Sequence, residues 1–321
     1  MIHMGLFPKI KPYRNGYLRV SRVHRIYYEL CGNQHKLPVL FVHGGPGAGC
    51  SENDRRFFNP KKFNTILFDQ RGANRSKPFA SIQENTTWHL IKDMEKILNL
   101  LGIKKVFLFG GSWGSTLSLA FAINYPERVS GMLLRGIFIP SKEDTEHFLK
   151  GGTEKFFPEA WQRFISIIPK KHRNDPAKYY LRQMTTGSRK KRKKHAFEWA
   201  FYEISLLRLN IPEKEVLEKM KSFPYEAMSV LESYYLSNNC FLPKDYILKN
   251  AKKIAEIPTA IVHGRYDMIC IPKAAYLLHK SLPKSKLYFV TGGHGSGEQA
   301  IKEKLVEEMN KYARNPKKWP N

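Results

Sequence analysis

Hydrophobic residues in this chain fall into short runs, each closed by a glycine-rich or charged turn. Residues 106–123 carry no charge, a length that approaches a membrane span. Seven of those 18 residues are Gly, Ser or Thr, clustered mid-run where a spanning helix wants Leu or Val. The pattern reads instead as a strand over 106–109, a turn over 110–114 and a helix over 115–125 stopped by Pro126. A central parallel strand buried on both faces accounts for the missing charge without lipid. Similar apolar runs predict strands over 38–42, 65–69, 128–139, 259–263 and 286–290. Alternating polar and apolar positions predict a hairpin over 17–30. Thr86 or Thr87 can cap a helix that runs to Leu101 and stops at Gly102.

The turn after the strand at 106–109 has the form G-x-S-x-G, with Ser112 at its centre. A serine between strand and helix, flanked by glycines, is a nucleophile elbow, the mark of an α/β-hydrolase fold. The bend projects the hydroxyl outward and leaves the Trp113 N–H at a helix N-terminus, where an anion is favoured. A serine is a weak nucleophile until a base takes its proton. In this fold the partners follow in the order acid, then histidine. Asp267 follows the strand at 259–263, and His294 follows the strand at 286–290 in a glycine-rich turn. His294 is the expected base, and Asp267 the residue that orients it. His43-Gly44-Gly45 after the strand at 38–42 supplies a second oxyanion donor, the N–H of Gly44 or Gly45. This chemistry needs neither metal nor cofactor. The fold class is therefore α/β, a mostly parallel sheet with helices on both faces. Residues 1–139 and 246–321 form the core. The stretch 140–245, rich in helix formers and aromatics, is an inserted helical cap.

Composition alters the picture in two places. Lys and Arg total 54 against 28 Asp and Glu, a net charge of +26, with one run of six cations at 189–194. Such a run can bind nucleic acid. No aromatics interleave with it as a base-stacking groove requires, so it reads as a solvated helix face, with no specific nucleic-acid partner. The four cysteines are scattered, without C-x-x-C or zinc spacing. With no apolar signal segment at the start and no membrane span, the expected location is cytoplasmic. Oligomeric state is not legible.

Glu203 lies among Phe197, Trp199, Phe201 and Tyr202, and Glu232 beside Leu231, Tyr234 and Tyr235. Buried carboxylates need a cation. An internal Arg or Lys and a substrate ammonium both answer. The chain resembles the proline iminopeptidases in HGGPG at 43–47, FDQRG at 68–72, ENTTW at 84–88, GGSWGS at 110–115, LRGIF at 134–138, HGRYD at 263–267 and GGH at 292–294. The resemblance covers nearly the whole chain. It implies Ser112, Asp267 and His294 as a catalytic triad releasing N-terminal proline from peptides. It also implies Glu203 and Glu232 as binders of the substrate's free amine, and Phe138, with Arg135 nearby, at the proline pocket. Three positions depart from the family: Tyr202 where tryptophan is usual, Gly295 where serine is usual, and Ser233-Tyr234-Tyr235 where Asn-His-Tyr is usual. They bear on pocket shape. A broader carboxylesterase or aminopeptidase, and a basic binding protein with a vestigial site, are the competing readings. Cys270, three residues after Asp267, is expected to make the enzyme thiol-sensitive.

Overall fold

The structure, a computed structural model, describes residues 5–320. Its strands are β1 (Arg14–Arg19), β2 (Arg25–Gly32), β3 (Leu37–Val42) and β4 (Phe63–Phe68). Helix α1 (Thr87–Leu100) precedes β5 (Val106–Gly111), α2 (Trp113–Asn124) and β6 (Val129–Arg135). Seven helices then follow without a strand: α3 (Lys142–Leu149), α4 (Pro158–Ser166), α5 (Pro176–Thr186), α6 (Arg189–Ser205), α7 (Glu213–Ser222), α8 (Tyr225–Ser237) and α9 (Tyr246–Lys249). The chain ends with β7 (Thr259–Gly264), α10 (Pro272–Ser281), β8 (Ser285–Val290) and α11 (Gln299–Arg314). Among the described residues no helix is long and apolar enough to cross a membrane.

The eight strands form one sheet in the order β1-β2-β4-β3-β5-β6-β7-β8. The pairs β1–β2 and β2–β4 are antiparallel, and every other pair is parallel. In β3 the side chains alternate between two hydrophobic layers: Leu40 and Val42 face α1 and α2, whereas Val39 and Phe41 face the layer containing α11. Burial on both faces is why the central strands read as unbroken apolar runs.

Element ends differ from the sequence reading where local packing decides them. Helix α2 begins at Trp113, directly on the turn, and β6 stops at Arg135, four residues short. Thr86 occupies the cap of α1, but its hydroxyl bonds His89 Nδ1 at 2.8 Å rather than the helix backbone. Thr87 instead donates to the Cys240 carbonyl, tying α1 to the end of α8. The six cations of 189–194 form the first turns of α6 and are all exposed. Positive charge there opposes the helix dipole.

An aromatic cluster of Phe148, Trp161, Phe164, Tyr180, Trp199 and Tyr202 packs the α3–α8 region. It continues into Ile269 and Cys270, so this helical layer rests on the loop after β7. Close approach elsewhere depends on glycine: a Cβ on Gly114 would lie 2.0 Å from the Val42 carbonyl oxygen. Gly114→Ala must push α2 off β3. We expect a loss of about 3 kcal/mol in a urea titration, at the upper end for overpacking.

Candidate active site

The β5–α2 turn holds Ser112 at φ 57°, ψ −129°, a left-handed backbone that a side chain rarely adopts. Hydrogen bonds hold it there. Ser112 N–H donates to the Arg135 carbonyl at 2.9 Å, and its own carbonyl accepts from Ser115 N and Oγ at 2.8 and 2.7 Å. A Cβ on Gly44 would sit 3.2 Å from that of Ser112, so the loop after β3 lies against Ser112. Trp113 N–H opens α2, where no intrahelical acceptor exists. The Trp113 indole donates to Gln70 at 2.9 Å, and the Gln70 amide donates to the His43 carbonyl at 2.8 Å. Gln70 N–H donates to His43 Nε2 at 2.9 Å, and Nδ1 lies 2.8 Å from the Gly44 carbonyl and 3.2 Å from Gly49 N. Sequence reading gave Gln70 and His43 no role. Here they fix both sides of the pocket facing Ser112.

His294 donates from Nδ1 to Asp267 Oδ2 at 2.8 Å, and both side chains are buried. Asp267 Oδ1 accepts the Ile269 and Cys270 N–H groups at 3.0 and 2.8 Å. Burial alone would raise the Asp267 pKa. The adjacent imidazole, by charge and hydrogen bond, outweighs it and keeps the carboxyl below its usual value. His263, the first residue of the HGRYD motif, supports this acid. Its Nδ1 accepts Ile137 N–H at 3.0 Å, so the proton sits on Nε2, 2.8 Å from the Cys270 carbonyl and 3.6 Å from Asp267. Burial lowers its pKa and keeps it neutral.

Arg135 lines the main cleft with Ser112 and Glu203 rather than the recess that holds Phe138. Its Nη1 donates to the His294 carbonyl at 2.7 Å, and its guanidinium fills the space a side chain on Gly111 would take. It lies in the wall of the main cleft and braces the histidine loop. On the other side of that loop, the Leu207 carbonyl accepts both His294 and Gly295 N–H, at 2.9 and 2.8 Å. Leu207 follows α6, the helix that carries Glu203.

Glu203 and Glu232 are both buried and hydrogen-bonded to each other. Among the described residues no lysine or arginine pairs with either, and Glu203 Oε2 has no partner at all. Trp199 donates to Glu232 Oε2 at 2.6 Å. Burial raises both pKa values, Glu232 well above its usual range because Glu203 adds like charge. Glu203, His294 and Ser112 line a cleft of about 710 Å³. Glu232, Phe138, Cys270 and Ser112 line a smaller recess beside it.

Two of the departing side chains bond away from these carboxylates: Tyr202 Oη bonds Thr153 and the Phe148 carbonyl, and Ser233 Oγ donates to the Val230 carbonyl. Gly295 lines the main cleft with Glu203. Between the described side chains of Ser112 and His294 no hydrogen bond forms in this resting geometry. The serine hydroxyl lies beside the Cys270 thiol.

Residues 38–300 match the α/β-hydrolase fold family. The proline iminopeptidase of Neisseria meningitidis is 42% identical over 301 residues, covering 93% of this chain and 96% of its own. That of Xylella fastidiosa is 41% identical over 303 residues, covering 94% and 97%. The chain belongs to the proline iminopeptidase family. A solved structure of MGS-M2, an α/β-hydrolase enzyme from a deep-sea metagenome library, superposes with a TM-score of 0.66. It covers 92% of this chain and 97% of its own at 16% identity, which bears on the fold alone.

Cys270 is buried in the recess wall, and burial pushes its thiol well above its usual pKa, so attack by ordinary alkylating agents is slow. A small mercurial is expected to inactivate the enzyme, with protection by a bound proline amide and resistance in Cys270→Ala. Unchanged activity after stoichiometric labelling of Cys270 counts against a recess that must stay open.

Proposed function

We propose that the chain is a serine exopeptidase releasing proline from the N-terminus of peptides. One observation carries the reading: two buried carboxylates face each other, without a lysine or arginine partner among the described residues, beside the recess that contains Ser112. An N-terminal proline brings a secondary ammonium and a rigid apolar ring. The ammonium supplies the missing charge. Phe138 and the recess take the ring, which sets the first peptide bond over Ser112. The helices of 140–245 then act as a cap that reads the amine, over a core of 1–139 and 246–321.

The reaction follows from the groups in place. On binding, the Ser112–His294 hydrogen bond closes, as catalytic contacts tighten in the substrate complex. Ser112 Oγ attacks the prolyl carbonyl carbon while His294 Nε2 takes the hydroxyl proton. Asp267 holds the ring through Nδ1 and stabilises the imidazolium. The oxyanion is held by Trp113 N–H and by the N–H of Gly44 or Gly45. His294 returns the proton to the peptide nitrogen, which leaves as a free amine. Water, deprotonated by the same histidine, then cleaves the prolyl ester and restores Ser112.

A chromogenic proline amide, its N-acetyl form and a simple acyl ester separate the readings. Turnover confined to the free-amine proline amide is expected. Equal turnover of the acetylated form would make the carboxylesterase the better account. Shape discriminates by only about 1–3 kcal/mol per methylene, so N-terminal alanine amides should be cleaved more slowly rather than excluded.

The paired glutamates give the reaction a pH signature. Their raised pKa values mean the empty pair retains a proton at mildly acid pH, and an ammonium must displace it. KM is therefore expected to fall as pH rises through the pair's titration, until the substrate amine itself deprotonates. The stability sign is the reverse. A carboxyl whose folded pKa is raised favours the folded state at low pH, and loses that contribution as pH rises through the folded value. Glu232→Gln should then melt higher than the wild type at neutral pH. Its kcat/KM on proline amides should drop roughly 100-fold or more, the scale of a lost buried charge pair. A variant both less stable and fully active would contradict the assignment.

A further inference from the structure

The cations at the start of α6 belong to a wider face. Residues 170–194 hold eleven Lys and Arg against one acid, Asp175. All eleven are exposed, and among the described residues none of them forms an ion pair. Asp175 is already engaged, since its Oδ1 accepts Lys178 N–H at the start of α5 at 3.2 Å. Elsewhere surface lysines do find acids: Lys221 pairs with Glu218, Lys273 with Glu143 and Lys284 with Glu256. Six cations in the first turns of a helix also work against its dipole, a cost that an anionic partner would offset.

The run 189–194 has no aromatics of its own, but folding brings them to it. The rings of Tyr179 on α5 and His195 on α6 lie 5.8 Å apart. His172 stacks on Tyr179 at 5.4 Å and 28°, and the Arg182 guanidinium lies 5.7 Å from the Tyr179 ring centre. His172 stands between Lys171 and Arg173 and meets no other ring among the described residues. A cleft of about 460 Å³ also borders the run. Arg192 and Lys193 line it with Phe79, Ile82 and Met184, and Glu226 is the one acid among its described residues. Phe79 is 43% exposed and stacks on no described ring.

We infer that this face binds single-stranded nucleic acid without regard to sequence. Unpaired cations follow the phosphates, and rings set among them accept stacked bases. An anionic lipid surface asks instead for apolar side chains that reach outward. Here Tyr179 and His172 are half-buried and Phe79 lies in the cleft. A duplex keeps its bases covered and gains nothing from the rings. From Arg189 to Glu203 the helix rises about 21 Å, so the face stands clear of the paired glutamates.

The test is fluorescence anisotropy on the full chain, with a labelled oligouridylate of about 20 nucleotides, a DNA duplex of equal length and phosphatidylserine vesicles as probes. The single strand should bind the wild type most tightly, with log K falling linearly as log salt rises. Lys190→Gln, Lys191→Gln and Lys194→Gln together should reduce that slope by about 2, since each single-strand phosphate contact contributes about 0.7, and should weaken binding about tenfold at low salt. Lys36→Gln, Lys104→Gln and Lys105→Gln together remove the same charge from other exposed positions and should change neither. His172→Ala should weaken the single strand severalfold with the slope unchanged, which bulk charge alone would not do. Melting followed by circular dichroism shows that each variant is folded, and the α6 triple should melt no lower than the wild type. Tighter binding to the duplex or to the vesicles than to the single strand overturns the assignment. So does equal loss in the two lysine triples, a His172→Ala variant that binds as the wild type does, or no binding of the single strand at low salt.

Discussion

Two buried carboxylates, facing one another and unmatched by any cation among the described residues, are the constraint to which the rest of the site answers. In water each would ionise freely. Buried together, they shift toward the protonated form and destabilise the folded state at neutral pH. The surrounding helices hold them regardless, through the Trp199 indole on Glu232 and the aromatic cluster packed around Trp199 and Tyr202. The arrangement is stabilising only when a positive group enters. On the proposed reading, selectivity for a charged amine follows from the empty state's instability as much as from any contact in the filled one.

The catalytic half shows the opposite economy. Asp267 is surrounded by donors: the His294 ring and two backbone N–H groups, with neutral His263 beneath. Its ionised form is the stable one, as a residue that steadies an imidazolium requires. Within one cavity system, similar acids are driven to opposite protonation preferences by what lies around them. Burial acts on all three, and hydrogen bonding to the charged form decides which stays ionised.

Much of this was legible in the sequence because it is written locally. The elbow is a glycine pattern with strand periodicity before it and helix periodicity after. The parallel strands announce themselves as apolar runs. The order of Ser112, Asp267 and His294 could be read along the chain. Residues whose role depends on distant partners were not legible. Nothing in the sequence around His263 says that its proton must sit on Nε2; that follows from Ile137, which approaches from β6. Gln70 bridges Trp113 to His43 across three separate segments. Arg135, expected at the substrate, is occupied by a backbone carbonyl 159 residues away in sequence. Glu203 and Glu232 were visible as oddities, acids among aromatics, yet composition alone could not say whether an internal cation met them.

The Leu207 carbonyl has a consequence for how such enzymes diversify. One oxygen receives two N–H groups of the histidine loop, and it belongs to the segment that follows α6, the helix carrying Glu203. On the proposed reading, recognition and proton transfer are thus fastened at a single peptide unit. Grafting the helical layer of a relative with another taste onto this sheet would carry that anchor along. A chimera's altered specificity and its altered turnover would be inherited together, so new selectivity is more readily reached by side-chain exchange within the recess than by swapping the whole layer.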